Sequence, residues 1–265
     1  MSSLLLYRDI TLLNRERHKD LKLKPEQGFR FAAETHYVPL AAQEFYQAAR
    51  DYPILFVGDD ESTGPIALLG LEAGRNQYVS EDGRWQNSAY VPAFVRRYPF
   101  VLADIEQNRV SVCFDSAFDG WNEEEGQALF DEEGNNTPFL DEVIEFLRGF
   151  RGEMERTRRF VDRLRELGLL EKKSLNLRRP TGETFRVNDF LAVDEKRFGE
   201  LEDDQILSLH REGFLGLIYA HLMSLGTANR LFDQTMASRL AERAAEDESG
   251  SEEESAGAES GSTVH

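Results

Sequence analysis

Asp115, Asp119 and Gly120 occupy the first, fifth and sixth positions of a helix-loop-helix calcium loop. Ala117 in the third position supplies no side-chain oxygen, and Gly126 stands where a bidentate glutamate is required. The stretch therefore reads as a solvated acidic loop, with a looser cation site of Asp115, Asp119 and Glu123 to Glu125 as the alternative. The histidines are His18, His36, His210, His221 and His265. His210 and His221 are spaced to share one helix face without reaching a common ion. Glu34 and His36 share a side of an extended segment, but a two-histidine, one-carboxylate iron site needs a third ligand that spacing does not supply. Structural histidines and no metal are expected. Cys113, the lone cysteine, lies in a predicted strand with no histidine near it in sequence, and reads as a buried, inert thiol.

Trp85, Tyr90, Phe94, Arg96, Arg97 and Tyr98 form a run of rings and guanidinium groups. Arginine beside aromatic faces binds carboxylates, sugars or planar ligands. The competing reading packs the rings onto neighbouring strands and pairs one arginine with an acid. Trp85, Tyr90, Arg96, Arg97 and Tyr98 are the candidate ligand-binding residues. The glycine-rich phosphate loops, the nucleophile elbow, the zinc-protease helix and paired-cysteine motifs are all missing, so no cofactor is expected and no catalytic residue is assigned.

These residues need elements to carry them. With 265 residues, 40% of them hydrophobic and 18 of them Phe, the chain can bury a sizeable core. Its net charge of −18 opposes binding to phosphate backbones, so no nucleic-acid partner is expected. Only a three-leucine run precedes Arg8, which is too short for a signal peptide, and a cytoplasmic location follows from that. Phe214 to Leu225 is the most apolar later segment and falls well short of a bilayer span.

An α+β fold is expected: a short-stranded antiparallel meander with helices, then a mostly helical half with a small β-hairpin. Residues 1–115 form the strand-rich unit. Its predicted elements are a helix over 41–50, strands at 54–57, 66–71 and around 77–79, a helix after Pro92, and a hairpin of Phe100 to Ile105 with Arg109 to Phe114. Residues 116–136 are an acidic joint. Residues 137–240 are a helical unit carrying a hairpin over 174–187, although 1–240 forming one domain is the other reading. Residues 241–265, with eight acids to one arginine, form an acidic disordered tail.

The clearest periodic signal is Leu140, Leu147, Met154 and Val161, with Val143, Phe150 and Leu164 in the flanking seam and Thr157 interrupting it. Thr137 and Pro138 start this helix and Gly168 ends it. Gly149 and Gly152 within it predict a bend or a close helix contact. The Leu140 to Leu164 stripe packs internally or serves as an oligomer seam.

The string from Tyr90 to Phe100, Tyr-Val-Pro-Ala-Phe-Val-Arg-Arg-Tyr-Pro-Phe, resembles the SapC family of bacterial proteins. So do Arg15 to Leu21, Val38 to Leu40 through Tyr52 to Phe56, Cys113 to Asp115, Leu129 to Gly134 with Thr137 and Pro138, and Gly216 to Leu222. The resemblance spans roughly residues 5 to 235 in order. It implies an accessory or interaction protein associated with a surface layer, non-catalytic and acting on a protein partner. The alternative it implies is an enzyme, or a helper presenting substrate to a flavin-dependent halogenase-like partner. No membrane insertion is expected on either reading.

Overall fold

Turn residues interrupt the apolar runs of the first half every few positions, so its strands are short. They are β1 (Ile10–Leu12), β2 (Lys22–Leu23) and β3 (Tyr37–Pro39), then, after the helical turn α1 (Phe45–Ala48), β4 (Ile54–Val57) and β5 (Gly64–Leu68). The turn α2 (Ala93–Arg96) leads into β6 (Phe100–Ile105), β7 (Arg109–Asp115), β8 (Trp121–Asn122) and β9 (Gln127–Ala128). The long helix α3 (Pro138–Glu166) is followed by the hairpin β10 (Leu170–Arg178) and β11 (Thr184–Val193). Four helices close the chain: α4 (Glu195–Gly199), α5 (Asp203–Arg211), α6 (Leu215–Ser224) and α7 (Ala228–Glu259). The computed structural model describes residues 5–24, 28–105 and 109–259. Residues 1–4, where the signal-peptide reading begins, and 260–265 with His265 lie outside them.

The expected α+β class is what the chain adopts, with antiparallel sheets and helices. The main sheet runs β10-β11-β4-β5-β3, so strands from both halves of the sequence share it. The β10–β11 hairpin, from beyond residues 116–136, completes the sheet that β3 to β5 begin. The first two strands expected of the meander pair as β4 and β5, Ile54 opposite Ala67 and Leu55 opposite Ile66. The third, around 77–79, is reduced to a single bridge between Val79 and Trp85. Tyr78 is buried there and donates its hydroxyl to the Asp51 carbonyl at 2.6 Å, so side-chain anchoring replaces a ladder. Two three-stranded sheets, β1-β7-β6 and β8-β2-β9, flank the main one.

Helix α3 follows its sequence signals. Thr137 accepts the Leu140 amide at 3.3 Å, Pro138 opens the helix, and Gly168 reverses the chain at φ +63°. Leu140 and Leu147 enter a core with Phe100, Phe114, Leu129 and Phe130, while Phe150, Phe160, Val161 and Leu164 enter the larger core under the main sheet. Most of the stripe is thus buried against its own chain, with Val143 and Met154 half-buried. Thr157, which breaks the apolar pattern, is buried, and its hydroxyl accepts the Ala42 amide at 2.8 Å. The close contact expected at Gly149 and Gly152 is absent, since a Cβ at either would meet open space.

Helix α7 continues to Glu259, through most of the segment whose composition argues for an unordered tail. Its packed part, Ala228, Phe232 and Met236 against Leu177, supplies the nucleus, and Ala and Glu propagate the hydrogen-bonded turn beyond it. Residues 241–244 are exposed, as their charge requires. Among the described residues no helix is long and apolar enough to cross a membrane.

One side chain joins the two halves of the main sheet. β11 and β4 pair directly only at Leu191 and Phe56. Where the next pair, Val193 and Ile54, would meet, the His221 ring of α6 sits between the strands. Val193 donates its amide to His221 Nε2 at 3.1 Å, and His221 Nδ1 lies 2.9 Å from the Ile54 carbonyl oxygen. The amide can only donate and the carbonyl only accept, so the ring is the neutral Nδ1–H tautomer. Ser224, one turn on, accepts the Ile54 amide at 3.0 Å. His210, expected on the same helix face, stands on α5, because Gly213 at φ +73° ends that helix.

Burial drives the His221 pKa from its ordinary 6.5 down to about 4. The unfolded chain takes up this proton more readily, so the contribution is complete above pH 6.5 and fades as pH falls toward 4, by about 3 kcal/mol in all. Replacing His221 by Phe, which leaves the Val193 amide and Ile54 carbonyl unpaired, is expected to cost about 2–4 kcal/mol at neutral pH. In urea titrations the gap between wild type and variant should narrow below pH 6.5; a gap independent of pH would refute the assignment. Because they face open space, Gly149→Ala and Gly152→Ala are each expected to raise stability by about 0.5–1 kcal/mol, read as a higher melting temperature.

Candidate functional site

Pro92 and the turn α2 bring the ring and guanidinium run onto the flank of α3. Its position is set by Glu44, a buried carboxylate at the start of α1. Glu44 Oε1 accepts the Ala93 amide at 2.6 Å and the Tyr90 hydroxyl at 2.9 Å, and Oε2 accepts the Ala41 amide at 2.9 Å. Burial raises its pKa, and these three donors oppose the shift. Asp51 adds a second tie by accepting the Tyr90 amide at 2.9 Å.

Tyr90, Arg96, Arg97 and Tyr98 come together, whereas Trp85 does not join them. Trp85 is 6% exposed; its indole donates to the Tyr52 hydroxyl at 3.1 Å, and Tyr52 in turn donates to the Tyr90 carbonyl. It is a core residue under a separate polar cleft of about 740 Å³ between 75–87 and α7. Arg96 is exposed: it donates to the Val91 carbonyl at 3.1 Å and the Tyr90 hydroxyl at 3.2 Å, with its guanidinium 5.2 Å from the Phe146 ring. Burial first, and then the Glu44 charge, push the Tyr90 phenol up to about 12. Tyr98 stacks on Phe31 at 4.1 Å and donates to Asp115 at 2.9 Å.

Arg97 is enclosed by rings. Its guanidinium carbon lies 4.1 Å from the Phe94 centroid, 5.1 Å from Phe150 and 5.6 Å from Tyr7. Its Nε is buried with no hydrogen-bond partner, and it makes no ion pair among the described residues. Burial lowers its pKa, yet an arginine stays charged at any physiological pH. Two clefts meet at this side chain. The smaller, about 310 Å³, is lined by Arg96, Arg97, Tyr98, Phe139 and Phe146 with Glu142 as its one acid. The larger, about 510 Å³, lies on the other side along α3.

The other titratable groups are engaged elsewhere. Asp115 is buried and accepts the amides of Arg8, Asp9 and Ala117 and the Tyr98 hydroxyl, all within 3.2 Å. Burial raises its pKa, but those donors outweigh it and hold the carboxyl below the usual range. They fill the oxygens that a calcium ion would need. Glu34 and His36 follow a helical turn and not a strand, so the extended geometry that would align them is absent. Cys113 is buried in β7, where burial pushes its thiol up. The sequence reading missed Glu44, Tyr7 and Phe150 as parts of this site. Glu44 alone left a trace, as an acid inside an otherwise apolar and alanine-rich helical stretch.

A family model described as SapC matches residues 13–231, most of the chain. No curated protein and no solved structure matches it. Glu44→Gln would turn one acceptor toward a facing N–H or O–H donor and is expected to lower stability by about 1–3 kcal/mol in chemical denaturation. An unchanged midpoint would show that Glu44 does not position α2.

Proposed function

We propose that this chain, which belongs to the SapC family, is a non-catalytic accessory protein that holds an acidic segment of a protein partner. One observation carries the reading: Arg96 and Arg97 share one aromatic-lined cleft, and neither is paired with a carboxylate among the described residues. Guanidinium groups held against rings are partly desolvated and pre-oriented, so an incoming carboxylate gains more than it would from a solvated lysine. The groups that could move protons are committed to structure. His221 bridges two strands, and Glu44 and Asp115 accept backbone amides.

The family's surface-layer association suggests where such a partner is found, and the net charge of −18 makes a strongly acidic partner dependent on this local basic cleft. Arg96 is exposed, so Arg96→Glu reverses the charge at the cleft, and an unchanged melting temperature checks that the neighbouring Tyr90–Glu44 contact survives. Capture from native cells with the tagged chain is expected to recover a partner that the Arg96→Glu form recovers about tenfold less well, and whose binding weakens with added salt. Equal recovery by both forms would overturn the reading.

A further inference from the structure

The larger cleft at Arg97 has a different chemistry from the smaller one. It opens between α3, the 61–65 segment entering β5, and β6. Pro65, Leu102, Leu147, Phe150, Met154 and Val161 supply the apolar part of its walls, beside Ser62, Thr63 and Thr157. Asp104 and Glu155 stand exposed at its mouth and share Arg151, at 2.7 and 3.7 Å. Glu61 there is exposed as well, and solvent screens all three acids. Arg158 lines the same mouth and makes no ion pair among the described residues. Arg97, held against Phe94, Phe150 and Tyr7, is the charge set among rings.

The Arg97 guanidinium is half-buried among three rings and hydrogen-bonded to the Tyr7 side chain, contacts that only partly replace its hydration. A carboxylate placed on it restores the charge balance. A cation in the cleft would be repelled, and a neutral hydrocarbon would gain nothing from the arginine. A compact dianion would leave the apolar walls unused. A cleft of this size with one charged anchor has the form of a small-molecule site.

We propose that this cleft binds an apolar monocarboxylate, its carboxylate on Arg97 and its hydrocarbon body along Leu147, Met154 and Val161 of α3. Arg97 also lines the smaller cleft, but Arg96 is not among the residues lining this one, so Arg96 variants separate the two readings.

Calorimetric titration of the full chain with octanoate, 1-octanol, octylamine and 2-naphthoate tests this. Octanoate is expected to bind at one site per chain, about tenfold or more tighter than octanol, with no saturable binding of octylamine. Naphthoate binding more tightly than octanoate would assign an aryl acid, and the reverse an acyl chain. Arg97→Met is expected to weaken octanoate about tenfold or more while leaving octanol unchanged, and Arg96→Gln to leave octanoate unaffected. If Arg97→Met does not fold, the Arg97 Nε–H resonance of the wild-type protein must shift with octanoate and stay in place with octanol. Absence of saturable octanoate binding, octanol binding as tightly as octanoate, or an unmoved Arg97 resonance would each overturn the proposal. Loss of octanoate binding with partner capture intact would sink this site alone, and the converse would sink the partner reading alone.

Discussion

A neutral imidazole bridges β4 and β11 of the main sheet beyond their direct residue pair. β4 and β11 come from segments far apart in sequence and meet directly at one residue pair, and beyond it the His221 ring stands in for the missing ladder hydrogen bond. Hydrogen bonding at both nitrogens permits one tautomer and excludes the imidazolium, whose second N–H would face the Val193 amide. The Phe56 and His221 rings pack edge-on with centroids 5.0 Å apart, so the polar bridge is enclosed by the same core that it helps to assemble. Buried polar groups are costly when unpaired, so a wrong register would leave several of them unsatisfied.

The same device recurs around α3. Thr157 sits where the apolar period calls for a large side chain, and accepts the Ala42 amide across the core. Glu44, three residues from Ala41, gathers amides and a phenol from two segments. These polar contacts determine where α1, α2 and α3 stand relative to one another, while the apolar stripe supplies most of the burial energy. Arg97 is left at their junction, held by rings in place of an acid.

Family membership and the geometry of the clefts contribute in different ways. The first names a group of proteins and carries no residue roles. The second places Arg97, half-buried among rings and without an ion pair among the described residues, between two clefts of different lining. Function on such a scaffold resides in the site and not in the fold class.

The sequence by itself determined what local chemistry decides. The start and end of α3, its apolar stripe, the hairpins of β6–β7 and β10–β11 and the α+β class all follow from caps, period and turn residues within a few positions of one another. The ring and guanidinium run was legible too, because its residues adjoin in the chain. Only the tertiary structure decided that Trp85 leaves that group for Tyr52, and that Phe150 and Tyr7 enter it. It also decided that the two halves share a sheet through His221. Those outcomes depend on pairings separated by tens to hundreds of residues, where the deciding energy is the satisfaction of buried polar groups. Periodicity and propensity report which residues seek burial, but they carry no information about which partner will meet them there.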